Sequence, residues 1–289
     1  MPLDPSQTVI SSLYIYKKRL YVGLADYRVV VVDLSSFTKI IEIIEELWEV
    51  KSIYSDDTGI YIASLNEKVN FYDVDDDQLK NTISHELGVI CVTGDDEYIY
   101  TGSFNGNVNI WSKSELNLKT ILDGHLPRVN SVYLDYDRIY SGDGFTTLGA
   151  GIRIWNKNSF NQIYMIKDPP SKRVNCFTSN DKYLISGHGS PGEIRVWLKS
   201  NMTLEQTIKT MNDVKSLDIN NNLLVCSLKD QIMIFDVENF NLIKEIKENG
   251  REVNSVKLYS DYIIYCARDK IKVINSKDFQ LITEINFKN

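Results

Sequence analysis

Apolar and polar residues alternate in short stretches along this chain, and the stretches recur in the same order seven times. Each round has an apolar strand, a second strand ending in small residues, a polar turn, a third alternating strand, and a trailing fourth. The third strands fix the register: RVVVVD (28–33), KVNFYD (68–73), NVNIWS (107–112), GIRIWN (151–156), EIRVWL (193–198), QIMIFD (231–236) and KIKVIN (270–275). They close on Val32, Tyr72, Trp111, Trp155, Trp197, Phe235 and Ile274, at successive gaps of 40, 39, 44, 42, 38 and 39 residues. The second strands agree: RLYVGL, GIYIAS, YIYTGS, RIYSGD, YLISGH, LLVCSL and YIIYCA. Period-two alternation is the mark of a strand, and Asn, Asp and Gly turns between such strands read as antiparallel meanders. One segment dissents. TKIIEIIEELWEV (38–50) has the spacing of an amphipathic helix, but its place in the repeat predicts a fourth strand over 38–44.

A four-stranded unit of about 40 residues is one blade of a β-propeller. A single blade cannot bury both its faces, so blades stack. The repeat therefore predicts an all-β chain: a seven-bladed β-propeller of four-stranded antiparallel blades filling residues 1–289 as one domain. The blades fall at approximately 8–46, 47–84, 85–124, 125–168, 169–210, 211–248 and 249–289. The first complete unit starts near Thr8 and the last fourth strand ends near Ile285. This predicts that no strand is exchanged between the first and last blades, and that packing alone holds their joint.

YIYTGSFNGNVNIW (98–111), IYSGDG…GIRIW (139–155), YLISGH…EIRVW (183–197) and the Gly124-His125 pair resemble the WD-repeat β-propeller family, and the likeness extends over roughly residues 8–285. The resemblance implies a buried tie in each blade, made of a His before the first strand, a Ser or Thr in the second, an Asp in the turn and the Trp of the third. Carried over, the third blade supplies His85, Thr101, Asn105 and Trp111, with Asn105 standing where Asp is usual. The fourth supplies His125, Ser141 and Trp155, with Asp143 the nearest acid, and the fifth only Ser186 and Trp197. The other four blades lack the Trp, and no Trp-Asp dipeptide occurs in the chain. The resemblance further implies a non-catalytic scaffold that presents one propeller face to other proteins or peptides.

Composition narrows the partners. Lys+Arg 32 against Asp+Glu 39 leaves a net charge of −7, which repels phosphate backbones and argues against nucleic acid. No apolar run is long enough for a membrane span, and the N-terminus shows no secretory pattern, so a cytoplasmic protein is expected. The four cysteines are scattered through strand-like runs and read as reduced core thiols. No cofactor or small-molecule substrate is expected.

Candidate chemistry is thin. Of the three histidines, His85 and His125 occupy the tying position, and His188 reads as a solvated turn residue. Gly187 to Gly192 spells G-x-G-x-x-G, but a strand follows where the dinucleotide fingerprint needs a helix. Asp73-Val74-Asp75-Asp76-Asp77 lacks the Gly and Glu of a calcium loop. The alternative function is a metal-dependent, hydrolase- or lactonase-like propeller enzyme using the central channel. Asn130, Asn175 and Asn254 share one register in the first strands and would line it, but no carboxylate pair accompanies them, so strand hydrogen bonding is the plainer reading.

For a partner, the second-to-third-strand turns and the segments leading into each first strand form one face. That of the fourth blade is enlarged and carries Phe145 and Leu148, flanked by glycines. Trp48, Phe104, Arg128, Arg173 and Arg251 join them as aromatic and Arg side chains of the types that dominate interfaces. The competing expectation is that Phe145 and Leu148 fold back on their own blade and that Arg128 and Arg173 pair with local acids.

Overall fold

The computed structural model describes residues 8–44, 48–73, 78–125, 128–144, 151–167 and 173–287. Among these, seven four-stranded sheets follow one another over residues 10–44, 50–84, 89–122, 129–167, 174–209, 216–247 and 256–286. Within each sheet the strands pair in chain order, and the registered neighbours run antiparallel. The fold is a seven-bladed β-propeller. Thr38–Ile44 is a strand, paired from Arg28↔Ile44 to Asp33↔Thr38, so partnership within the sheet overrides its helical spacing.

The chain divides into two compact units. The first comprises residues 1–62, 71–80 and 215–289, and the second residues 63–70 and 81–214.

In the first unit the period-two pattern sorts apolar side chains to two neighbours rather than to core and solvent. Leu20, Val22, Leu24, Val30 and Val32 of the first sheet pack with Ile264, Cys266, Ile271 and Val273 of the seventh. The alternate residues Tyr21, Val29 and Val31 pack with Ile53, Ile60, Ile62 and Tyr72 of the second. Inner strands are therefore buried on both faces, whereas outer strands such as Leu242–Lys247 are mostly exposed. The second unit repeats the scheme. Tyr100, Val108 and Ile110 meet Val129, Ile139 and Trp155 of the next sheet, and Tyr140, Ile152 and Ile154 meet Val174, Leu184 and Trp197 of the one after.

Small residues in the second strands make these contacts possible. A Cβ on Gly142 would lie 2.7 Å from Val174 of the following sheet and 2.8 Å from Ser131 Oγ of its own. Gly23, Gly102 and Gly187 stand in the same relation to Val50, Val129 and Val214. Each glycine is thus a hole that receives the next sheet's valine.

The first strands begin with a bulge. Pairing skips Ser11, Asn130 and Asn175, and the skipped side chain turns toward the next sheet. Ser11 Oγ donates to Val50 O at 2.6 Å, Asn175 Nδ2 to Val214 O at 2.9 Å, and Asn130 Nδ2 to Asn175 Oδ1 at 3.2 Å. Asn254 Nδ2 donates to Ile10 O at 3.0 Å, and Ile10 N donates to Arg268 O at 2.7 Å. The last sheet is built from its own four strands among the described residues. Packing alone was the expectation for the first-to-last joint; hydrogen bonds reinforce it, because Asn254, at the register of Asn130 and Asn175, again reaches the neighbouring sheet.

A further repeat escaped the sequence reading. After the third strand, Phe37, Leu116, Phe160, Met202, Phe240 and Phe279 all have φ between 53° and 60°. Each donates its N–H to the carbonyl four residues earlier, as Phe240 does to Asp236 at 2.9 Å. In several turns the first residue's side chain also caps the next amides, as Asp236 Oδ1 does for Glu238 and Asn239. The left-handed backbone of a bulky residue costs about 1–2 kcal/mol, offset here by these bonds and by burial of the side chain.

Candidate functional site

The buried ties come first, since they hold the turns in place. In the fourth sheet Trp155 Nε1 donates to Ser141 Oγ at 2.9 Å, and Ser141 Oγ lies 2.7 Å from His125 Nε2. With the serine oxygen accepting from Trp155, its own proton goes to Nε2, and the imidazole proton sits on Nδ1, 3.6 Å from Asp143 Oδ2. Burial is the main cause that lowers the His125 pKa, with Asp143 opposing it. In the fifth sheet Trp197 Nε1 donates to Ser186 Oγ at 2.8 Å, and the histidine beside that hydroxyl is His188, also at 2.8 Å. His188 is 1% exposed, so the expectation of a solvated turn residue is corrected. As the last residue of the strand Tyr183–His188, it shares a face with Ser186, two residues back.

The third sheet is looser. Trp111 Nε1 donates to Thr101 Oγ1 at 3.0 Å, and Thr101 Oγ1 donates to Asn109 O at 3.3 Å. His85 meets Trp111 edge-on, 5.0 Å between ring centres, and its Nδ1 lies 3.4 Å from Asn109 Nδ2 rather than on the Thr101 hydroxyl. Its Nε2 is buried without a hydrogen-bond partner among the described residues, and burial lowers its pKa to about 4. Asn105 does not meet His85 either. Its Oδ1 accepts from Ser103 Oγ at 2.5 Å and Asn107 N at 3.0 Å, which makes it the brace of its own turn. Ser64, Asn66 and Lys68 repeat that brace one sheet earlier.

The Trp155–Ser141–His125–Asp143 chain has the order of a hydroxyl nucleophile, base and acid. Catalysis would need Ser141 to reach a substrate, yet Ser141 is fully buried and its oxygen is occupied by the Trp155 N–H. Its chemistry is cross-linking of strands. Among the described residues no group of three or more His, Cys, Asp or Glu side chains could hold a metal ion.

Above these ties in the second unit, each turn is fastened to the residue leading into its first strand. Phe104 N donates to Gly88 O at 3.1 Å, Gly144 N to Arg128 O at 2.8 Å, and Gly189 N to Arg173 O at 2.9 Å. This places Phe104, Arg128 and Arg173 together. The Arg128 guanidinium lies over the Phe104 ring at 4.8 Å, with Phe104 37% exposed. Arg173 pairs with Asp213 at 2.8 Å, as a local ion pair would, but Arg128 makes no ion pair or side-chain hydrogen bond among the described residues. Burial first, and the charge of Arg173 second, hold the Arg128 pKa below its usual value. Two residues along, Asn130 spends its amide on Asn175, while its Oδ1 is buried beside Gly144 without a partner among the described residues.

The sequence pattern of the family described as "WD40: WD domain, G-beta repeat" matches residues 77–112, the stretch that contains Thr101, Asn105 and Trp111. The WD-repeat pattern thus matches one stretch of a seven-bladed β-propeller. A crystal structure of the computationally designed Ika8 protein is similar in fold, with a TM-score of 0.77 at 17% identity over 96% of this chain and 87% of that one. No curated protein matches the chain.

The remaining expected positions lie at other sheets or outside the described residues. Trp48 is 52% exposed and Arg251 is exposed; both belong to the first unit. Phe145 and Leu148 lie outside the described residues, as do Val74 to Asp77 of the acidic run. The strand Glu193–Leu198 follows the glycine-rich 187–192 segment, so no helix terminus faces it. Asn130, Asn175 and Asn254 make the strand-to-strand bonds described above. Sequence reasoning missed Asp213, whose signal was its place in MNDVKS at the register of Arg128 and Arg173.

Proposed function

We propose that this propeller is a non-catalytic scaffold that binds other proteins or peptides through the face formed by its second-to-third-strand turns and lead-in residues. The observation that carries the reading is the Phe104–Arg128–Arg173 cluster, a partly exposed aromatic ring and two arginines set on a rigid backbone. Arg and aromatic side chains held on rigid elements supply the anchors of protein interfaces at small ordering cost. Trp48, Phe145, Leu148 and Arg251 are further partner-binding residues in this reading. Four free cysteines suit a reducing compartment, and we place the protein in the cytoplasm on that ground. Among the described residues no helix is long and apolar enough to cross a membrane.

The test is a quantitative affinity purification with three baits. Wild type and Tyr136→Ala, which alters a residue 94% exposed in a first-to-second-strand turn, should recover the same proteins. A Phe104→Ala, Arg173→Gln double variant should lose at least one of them about tenfold or more. Equal recovery by all three baits would place the interface elsewhere.

A further inference from the structure

The cluster has one unmet demand. Arg173 is neutralised by Asp213, whereas Arg128 has no carboxylate partner among the described residues. Among the described residues Arg128 Nε is shielded from solvent with no acceptor, its ring neighbour Phe104 offers only a π face, and the charge that acts on it most is that of another arginine. A guanidinium held in this way is costly, and an oxyanion is the group that relieves it, through charge-assisted and often bidentate hydrogen bonds.

We propose that Arg128, flanked by Phe104 and Arg173, is a subsite for one carboxylate of an acidic peptide segment. The inference rests on the scaffold reading and specifies what the face grips. One uncompensated positive charge suits a monoanion. A phosphate dianion would need to draw Arg173 from Asp213 as well. A polyanion such as RNA would meet a chain of net charge −7, and the Phe104 face that a base would stack on is already covered by Arg128. Gly144 makes room for the Arg128 side chain, because a Cβ there would fall 2.6 Å from Arg128 Cγ.

The experiment uses the full chain and three immobilised pools of nine-residue peptides, random except for a central Glu, phosphoserine or Gln. We expect the Glu pool to retain about tenfold more protein than the Gln pool, the worth of one charge-assisted contact. Arg128→Gln should reduce Glu-pool retention to the Gln level with an unchanged melting temperature. Arg128→Lys, which keeps the charge but not the fork, should fall between, and it serves as the probe if Arg128→Gln does not fold. Equal retention by the Glu and Gln pools, retention confined to the phosphoserine pool, displacement by polyuridylate, or indifference to both Arg128 variants would each overturn the carboxylate subsite. If all pools bind equally and Phe104→Ala weakens them together, the scaffold reading stands and the subsite falls.

Discussion

The fourth and seventh sheets fill the same three positions with different chemistry. In the fourth, His125 comes from the segment before the first strand, Ser141 from the second strand and Trp155 from the third, a neutral relay closed by Asp143. In the seventh, Glu248 stands in the lead-in segment, Tyr265 in the second strand and Ile274 at the close of the third. Tyr265 Oη donates to Glu248 at 2.8 Å, and Lys272 Nζ donates to both carboxylate oxygens at 2.9 and 2.8 Å. Burial and the neighbouring Glu248 raise the Tyr265 pKa, so the phenol stays a donor. What a blade requires is a polar link from its lead-in segment to its inner strand. The Trp is one way to complete it.

The contrast can be broken at its ionic end first. The Glu248 side chain is 4% exposed and that of Lys272 18%, so Lys272→Met strands a buried carboxylate. We expect a loss of about 3 kcal/mol in urea unfolding, and a loss below about 1 kcal/mol would mean that Tyr265 alone satisfies Glu248. Next is Ser141→Ala, which leaves both the Trp155 N–H and His125 Nε2 without partners, at about 2–3 kcal/mol. Cys226→Ala, at the same register in the sixth sheet, should cost less than about 1.5 kcal/mol, since it deletes one apolar-like atom. Equal losses would show that the hydroxyl does no more than fill space.

The smallest effect is a pH dependence. His85 titrates near its ordinary value when unfolded and at about 4 when folded, because burial disfavours its charged form. The unfolded chain therefore binds more protons between those values. The neutral ring's contribution is present above the unfolded pKa and is lost as pH falls from about 6.5 toward about 4. Melting temperature against pH should be shallower in this window for His85→Phe, which keeps the edge contact with Trp111. Identical slopes would remove His85 from the acid response.

The sequence made the sheets legible because period-two alternation and turn residues are local. NVNIW and GIRIW announce a strand whatever lies beside them, and register alone recovered the strand at 38–44. The tie was legible where its parts kept the family's order, as in the fourth sheet. It was hidden where the order changed. His188 lies in a glycine-rich run that looks like a turn, and only its spacing from Ser186 carried the signal that both share a strand face. Glu248 and Lys272 were hidden because ion pairing across sequence has no pattern in one chain. Arg128 and Arg173 look alike in RVNS and RVNC; what separates them among the described residues is Asp213, whose register in MNDVKS was the one sequence sign that an acid follows Arg173 in the next blade.

The bulge at Asn175 adds a residue that the ladder does not count. Val174 pairs with His188 and Cys176 with Gly187, so removing Asn175 would bring two already matched partners into sequence without reversing any side chain that follows. Deleting Phe177 instead would swap inside for outside along the rest of the strand. The joinery between neighbours is thus detachable from the frame, and a blade can gain or shed its grip on the next by a single codon while its interior stays as it was.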